Sequence, residues 1–332
     1  MRKIFLIIWT IITLLVFGSI FISPQDFEYV GLLGFAIPVL MALNIVFLVI
    51  SWVSDWKAKW VLSLLVLLAW PFYGMVYQFN FEDDANEEGL KVMSQNLMRF
   101  NYRSSSDPYE LFLGLLESEQ PDVLVLQEFA ATRRYRNGLL NEFNFREALG
   151  GYANSFAIYT TYPIIRSGAL FDSDQTNNIQ FADIQVDSDT VRIYNLHLQS
   201  MGINPQKLNN EETTQDEFED IGYRFTSASQ VRSAQMAQLF EHIEDCSYPV
   251  ILAGDFNDIP FSHNYMKMKK GMTNAFEEKG RGFGATFNNN IPFLRIDNQF
   301  CSEDIQVKSF ETLNDFFFSD HFPLIGIYQL SP

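Results

Sequence analysis

The apolar residues fall into two regimes. Ile4 to Ile22 is uncharged and apolar throughout, Gly31 to Trp52 repeats the pattern, and Trp60 to Tyr77 repeats it again. Each stretch is near the ~20 residues a helix needs to cross the hydrocarbon core of a bilayer, so the pattern predicts three membrane spans within residues 1–79. The first stretch exceeds the ~7–15 residues of a cleaved signal core. No small-x-small site follows it at Ser23-Pro24-Gln25, which favours a retained span over a signal peptide. Trp52, Trp56 and Trp60 surround one short loop, as interfacial anchors do.

Residues 80–90, which include "EDDANEEG", read as an acidic solvated linker. From Lys91 to the end, residues 91–332, short β-rich runs alternate with helical ones. "LKVMSQNLM" alternates like a strand, and "DVLVLQEF" and "YPVILAGDFN" read as buried strands. "NIQFADIQV" and "TVRIYNLHLQ" read as a hairpin around "DSDT". "DPYELFLGLLESEQP" has Leu111, Leu115 and Leu116 on one face, Asp107 at its start and Pro121 after its end, so it is predicted to be a helix. A second helix is expected over "SASQVRSAQMAQLFEHIE", and the polar stretch Gly202–Arg224 before it reads as a long loop. Many strands with few helices predict an α/β domain of packed sheets flanked by helices.

Charge separates the same two regions. Residues 1–79 hold four Lys/Arg and three Asp/Glu, which leaves 19 of the 23 basic and 37 of the 40 acidic residues to the rest of the chain. Such a field repels duplex DNA at long range and marks nucleic acid down as a partner. Arg2, Lys3, Lys57 and Lys59 lie at the N-terminus and between spans two and three, whereas "SPQDFEYV" and "NFEDDANEEG" have no Lys or Arg. The positive-inside rule then predicts a cytoplasmic N-terminus and a C-terminal domain outside the cytoplasm. Cys246 and Cys301 have no metal-ligand spacing; free thiols are expected rather than a disulfide.

Chemistry-bearing residues recur at the ends of apolar runs. Asn96 follows "KVMSQ", Glu128 follows "DVLVLQ", His197 follows "VRIYNL", and Asp255 and Asn257 follow "YPVILAG". Asp297 follows "FLRI", and Asp320 and His321 follow "NDFFF". Each has an ordinary reading as a cap, a turn or a satisfied strand residue. Together they predict a site, because ligands in layered α/β folds collect at strand ends.

The series "SQNLMRFN", "PDVLVLQE", "AIYTTYPI", "NLHLQS", "VILAGDFND", "LRIDNQF" and "SDHFP" resembles, in order, the endonuclease/exonuclease/phosphatase superfamily over about Lys91–Leu330. The resemblance implies a four-layer α/β sandwich of the DNase I type. It implies a divalent cation, Mg²⁺ or Mn²⁺, at Asn96, Glu128 and Asp320. It also implies Asp255 as the base for water with Asn257 beside it, His321 as the phosphate donor paired with Asp297, and His197 on phosphate or the leaving oxygen. The chemistry agrees: phosphoester hydrolysis needs a cation, a base and a donor to the phosphoryl oxygens, and an all-oxygen metal set suits Mg²⁺. Met98 replaces the polar residue usual in abasic-site nucleases, and "HLQ" at His197–Gln199 resembles the sphingomyelinase-like branch. Arg232 and Arg295 are open between facing an anionic substrate and structural ion pairs.

The resulting expectation is a membrane-tethered, metal-dependent phosphoesterase whose domain lies outside the cytoplasm, in the periplasm if an outer membrane is present. Its partners are the bilayer and a phosphoester, a lipid head group favoured. The alternatives are a nuclease, a phosphatase of soluble phosphoesters and, less favoured, a non-catalytic binding protein on the same fold.

Overall fold

The computed structural model describes residues 2–80, 88–102, 107–129, 132–148, 155–171, 176–202, 215–288 and 294–330. Most of the acidic linker lies outside them. Two compact units emerge: Met1–Tyr77 with Ser200–Ala234 and Asp258–Met268, and Gln78–Gln199 with Gln235–Asn257 and Lys269–Pro332.

In the first unit, the helical segments Arg2–Phe21 and Val30–Val53 are long and apolar enough to cross a membrane. The third predicted span is a pair, Lys59–Leu68 and Trp70–Val76, bent by 56°. Pro71 begins the second piece, where its missing donor and fixed φ suit a helix start and not a helix interior. Ala58, Leu62 and Leu65 are buried against Leu6, Trp9, Phe47, Leu48 and Trp56. Trp9 Nε1 donates to Asn44 Oδ1 at 2.7 Å, which pairs a buried amide inside an apolar helix. At the predicted tryptophan loop, Trp52 and Trp60 pack edge to face at 6.1 Å, and Lys59 Nζ lies 4.9 Å over the Trp52 ring.

The second predicted helix begins earlier than its apolar pattern does, running from Gln215 to Glu244. Thus the later part of Gly202–Arg224 is helix and not loop; residues 203–214 lie outside the described ones. Phe218 and Ile221 stand at helical spacing before Phe225, but the acidic residues around them made the stretch read as polar. Acidic residues before Phe225, Glu219 and Asp220 among them, suit the positive end of a helix.

Among the described residues the second unit contains fourteen strands. In chain order they are β1 Gln78–Phe79, β2 Leu90–Asn96, β3 Val123–Gln127, β4 Arg146–Ala148, β5 Phe156–Thr160, β6 Ile164–Ala169 and β7 Asn178–Val186. There follow β8 Asp189–His197, β9 Val250–Asp255, β10 Met272–Asn274, β11 Arg281–Gly282, β12 Asp297–Ser302, β13 Ile305–Thr312 and β14 Leu324–Leu330. They form two six-stranded sheets, ordered β10-β12-β9-β8-β7-β6 and β13-β14-β2-β3-β5-β4, and a small β1–β11 pair. Two pairs run parallel, β2–β3 and β8–β9, each at the middle of its sheet.

Alternation along the strands sorts the core. Val92, Val123, Val125 and Ile158 of one sheet share a buried cluster with Ile184, Ile193, Ile251 and Ala253 of the other. Met93, Leu124 and Leu126 point the other way, onto Phe112, Leu115 and Leu116 of the helix Pro108–Glu119. Asp107 caps that helix, its side chain accepting from Tyr109 N at 3.0 Å, as predicted. Strands buried on both faces read as continuous apolar runs, which is why "VLVLQ" showed no alternation. These are two sheets flanked by helices, the predicted DNase I-like sandwich. Amides brace its layers: Asn195 Nδ2 on β8 donates to the carbonyls of Leu126 (2.9 Å) and Ala157 (3.0 Å). Gln299 Nε2 on β12 donates to Val92 O at 3.2 Å and accepts, through Oε1, from Tyr328 O–H at 2.7 Å.

Candidate active site

Strand register assembles the site. In the parallel pair β8–β9, His197 stands opposite Asp255; in the antiparallel pair β12–β9, Asp297 stands opposite the same Asp255. Three neighbouring strands thus present an imidazole and two carboxylates at one edge. In the other sheet Asn96 pairs with Gln127, and Glu128 follows directly. Asn96 Nδ2 joins the two groups, reaching Asp255 Oδ2 at 3.1 Å and Glu128 Oε1 at 3.3 Å.

All eight predicted residues lie in this second unit, and two of the predicted placements need correction. Asp297 begins a strand instead of ending one; an antiparallel neighbour must start where β9 stops. Asp320 and His321 do not follow a strand, since Phe316 and Phe317 are irregular and Phe318–Ser319 is a bend. They lie in the connection into β14, where His321 forms an isolated bridge with Phe287. Ser319, which the sequence reading passed over, fixes this turn: its hydroxyl donates to Asn96 O at 2.7 Å and accepts from His321 N at 3.3 Å. Gln95 Nε2 adds a bond to His321 O at 3.0 Å. A serine and a glutamine buried beside apolar strands were the available signals.

The backbone is strained where the chemistry is. Glu128 (φ 47°) and Asn257 (φ 49°) are non-glycine residues in the left-handed region, each costing about 1–3 kcal/mol. Contacts hold both. Arg99 N donates to Glu128 O at 2.8 Å, and Asn257 donates from N to Asp255 Oδ1 (2.8 Å) and from Nδ2 to Leu198 O (3.0 Å).

Burial pushes the Asp255 carboxyl well above the usual carboxylate range, helped by Asp297 and opposed by His321, the Asn257 N–H and Asn96. Burial alone would lower His321; Asp297, Asp255 and Asp320 outweigh it and lift the imidazole to about 10. The main partner is close, with His321 Nδ1 2.9 Å from Asp297 Oδ2. His197 goes the other way, lowered by burial despite Glu128. Its Nδ1 lies 3.0 Å from Thr176 O, a pure acceptor, so this nitrogen carries the proton and Nε2 presents a lone pair. Burial also raises Asp320, with Glu128 adding to the rise and His321 opposing it.

His197 Nε2 faces Glu128 Oε1 at 3.8 Å and Asp255 Oδ2 at 3.7 Å. These separations are too long for hydrogen bonds and leave the Glu128 side chain, 36% exposed, open to a cation beside them. Asp255, Asp297 and His321 also offer ligand atoms within 4.8 Å of one another. That trio is the poorer seat, because Asp297 and the protonated His321 already satisfy each other. Arg232 and Arg295 are both buried and engaged within the fold. Arg232 lies 3.9 Å from Asp258, and Arg295 donates to Asn274 at 3.0 Å and stacks over Phe276. Cys246 and Cys301 are free thiols, as expected.

With this geometry in hand, residues 93–321 match the model of the endonuclease/exonuclease/phosphatase family, and residues 2–75 match a domain of unknown function, DUF8431. The chain belongs to the endonuclease/exonuclease/phosphatase family, hydrolases of phosphoesters. Similar solved structures include an endonuclease/exonuclease/phosphatase from Beutenbergia cavernae (16% identity, TM-score 0.53, covering 74% of this chain and 72% of that one). D. rerio TDP2 complexed with a single-strand DNA product is similar at 16% identity and TM-score 0.53, over 73% of this chain and 100% of its own. A mannosyl-6-phosphatase from Bacteroides thetaiotaomicron is similar at 18% identity and TM-score 0.52, over 73% and 100%. At these identities the likeness is one of fold. No curated protein matches the chain.

Proposed function

We propose that the chain is a membrane-tethered, Mg²⁺- or Mn²⁺-dependent phosphodiesterase acting outside the cytoplasm, with a lipid head-group phosphodiester as its favoured substrate. The observation that carries the hydrolase is the pairing of a cationic donor, His321 on Asp297, with a buried, proton-seeking Asp255 beside the lone-pair set of Glu128 and His197. Glu128 would hold the cation, with Asp320 at its edge; Asn96 would join it with its amide turned, since Nδ2 faces Glu128 and Asp255 while Oδ1 accepts from Met98 N at 3.1 Å. When bound, the ion neutralises charge that builds on the phosphoryl oxygens. Asp255 takes the proton of the attacking water, and Asn257 fixes that carboxylate with two hydrogen bonds, 2.8 Å from N and 3.1 Å from Nδ2. His321 donates from Nε2 to a phosphoryl oxygen. His197, held by Thr176, accepts from water or orients the leaving side.

Orientation has support beyond the charge count. Within the first unit, Gln25 Nε2 donates to Gln230 O at 2.6 Å, so the loop between the first two apolar helices shares a membrane side with helix Gln215–Glu244. Arg2, Lys3, Lys57 and Lys59 belong to the opposite side. The head-group preference follows from the tether and from the acidic domain, which disfavours polynucleotides. The test is a panel of phosphodiester lipids, single- and double-stranded DNA, RNA and sugar phosphates, each with Mg²⁺ and with EDTA. A nucleic acid or sugar phosphate hydrolysed in preference to every lipid would replace the substrate assignment. For topology, Glu28→Cys should react with an impermeant thiol reagent in intact cells or spheroplasts, and Lys57→Cys only after permeabilisation. The reverse pattern would move the domain to the cytoplasm.

A further inference from the structure

The first unit is discontinuous in sequence: Ser200–Ala234 and Asp258–Met268 fold with the N-terminal helices. The contact is intimate. Phe225, Thr226, Ala228, Ser229 and Arg232 form one buried stripe along the helix Gln215–Glu244. A Cβ on Gly31 would stand 2.9 Å from Ser229 Oγ, and one on Gly34 only 2.5 Å from Phe261 O, so both glycines are notches for close approach. Phe35 packs edge to face on Phe225 at 5.4 Å, and Gln230 Nε2 returns a bond to Pro24 O at 3.4 Å.

The depth of this contact can be read from helix geometry. Val30–Val53 is 24 residues, about 36 Å long, whereas the hydrocarbon core is about 30 Å thick. The excess, about one turn, stands in a head-group layer roughly 5–7 Å thick. With the whole excess at this end, Gly31, against Ser229, falls within it, and Gly34 and Phe35, against Phe261 and Phe225, lie about 6 and 7.5 Å along the axis, at its inner edge. Phe21, Phe27 and Tyr29, next to the start of that helix in sequence, are exposed, and so is Tyr223, two residues before Phe225, at 72%. Tyrosine with an adjoining Arg224–Asp220 pair is the composition of an interfacial surface, apolar bodies carrying polar tips.

We propose that the Tyr223 edge of the helix Gln215–Glu244 lies in the head-group layer of the bilayer, continuous with the rim Phe21, Phe27 and Tyr29. The anchor is then a seat made from two distant parts of the chain, not a tether of linker alone. The inference rests on the membrane reading of residues 1–79.

The experiment uses full-length protein in phosphatidylcholine–phosphatidylglycerol proteoliposomes, in a Cys246→Ser background. A polarity-sensitive nitrobenzoxadiazole label is placed at Tyr223→Cys and, separately, at Ile11→Cys in the first apolar helix. Lipids carry a spin label on the head group or deep on the acyl chain; the label's free cysteine adduct in water is the reference. The expected result is strong quenching at 223 by the head-group spin label with a blue-shifted emission, and quenching at 11 by the deep label. A label at 223 that matches the aqueous adduct, or is shielded yet quenched by neither lipid, overturns the inference while deep quenching at 11 keeps the membrane reading. If 11 also reports water, the membrane reading itself has failed and the inference with it.

Discussion

Two corners of the site contain an imidazole in nearly the same degree of burial, and they behave in opposite ways. At the β8 corner His197 is 5% exposed and its pKa falls; at the β14 corner His321 is 6% exposed and its pKa climbs to about 10. Burial pushes both down. The difference is the neighbour on Nδ1: a neutral carbonyl, Thr176 O, for His197 and a carboxylate, Asp297, for His321. A buried site can therefore contain a neutral lone pair and a fixed positive donor side by side, with the choice made by a single partner atom.

The strongest way to break this arrangement is to remove the charge of the carboxylate assigned to the metal, beside the neutral corner. Glu128→Gln should abolish metal-dependent hydrolysis, a loss beyond about 1,000-fold, with the thermal unfolding of the metal-free protein little changed. Near-normal rates at saturating Mg²⁺ would remove Glu128 from the metal site. Next comes the charged corner. His321→Ala should cost about 100- to 1,000-fold in kcat/KM, and Asp297→Asn nearly as much, because it turns His321 into a second neutral imidazole. The double variant should lose little more than either single one; additive losses would mean that the two act apart.

The pH profile sharpens the contrast. His321 must be protonated, and its raised pKa places the alkaline limb of kcat/KM near pH 10; Asp297→Asn should drag that limb towards the ordinary histidine range. Asp255 must be ionised, and its upward shift places the acid limb above the ordinary carboxylate value of 3.8. The sign for stability is the same at the alkaline end: the His321–Asp297 pair contributes fully below about pH 6.5 and is lost as pH rises through about 10. The smallest effect belongs to the neutral corner. His197→Ala should cost about tenfold, what a neutral hydrogen bond of about 1–1.5 kcal/mol supplies, and steady-state kinetics will measure it. A loss as large as that at His321 would erase the distinction between the corners.

Much of this was legible in the chain because apolar runs bound by polar residues mark where strands stop. Asn96, Glu128, His197 and Asp255 sit at the ends of the four strands that form the two parallel pairs, and their apolar runs pointed to them. Other features have no such trace. The run "FFF" resembles a strand, but Phe317 is 52% exposed and the segment is a turn fixed by Ser319, a hydroxyl whose partner is 223 residues away. The start of the helix at Gln215 was obscured because Phe218 and Ile221, at helical spacing before Phe225, are set among Glu217, Glu219 and Asp220 and read as a polar loop. That Ser200–Ala234 folds with the N-terminal helices depends on contacts between distant segments, which periodicity does not encode.

The order in which strands are made has a consequence for biogenesis. β2, the first strand of either large sheet, has β14, the last strand of the chain, as its antiparallel neighbour, and Gln95 reaches His321 across 226 residues. Contacts this remote in sequence close late and slowly. A chain cut before His321 lacks both β14, which joins β13 to β2, and the imidazole assigned above to the phosphoryl oxygen. A fragment truncated before His321 is therefore expected to be inactive.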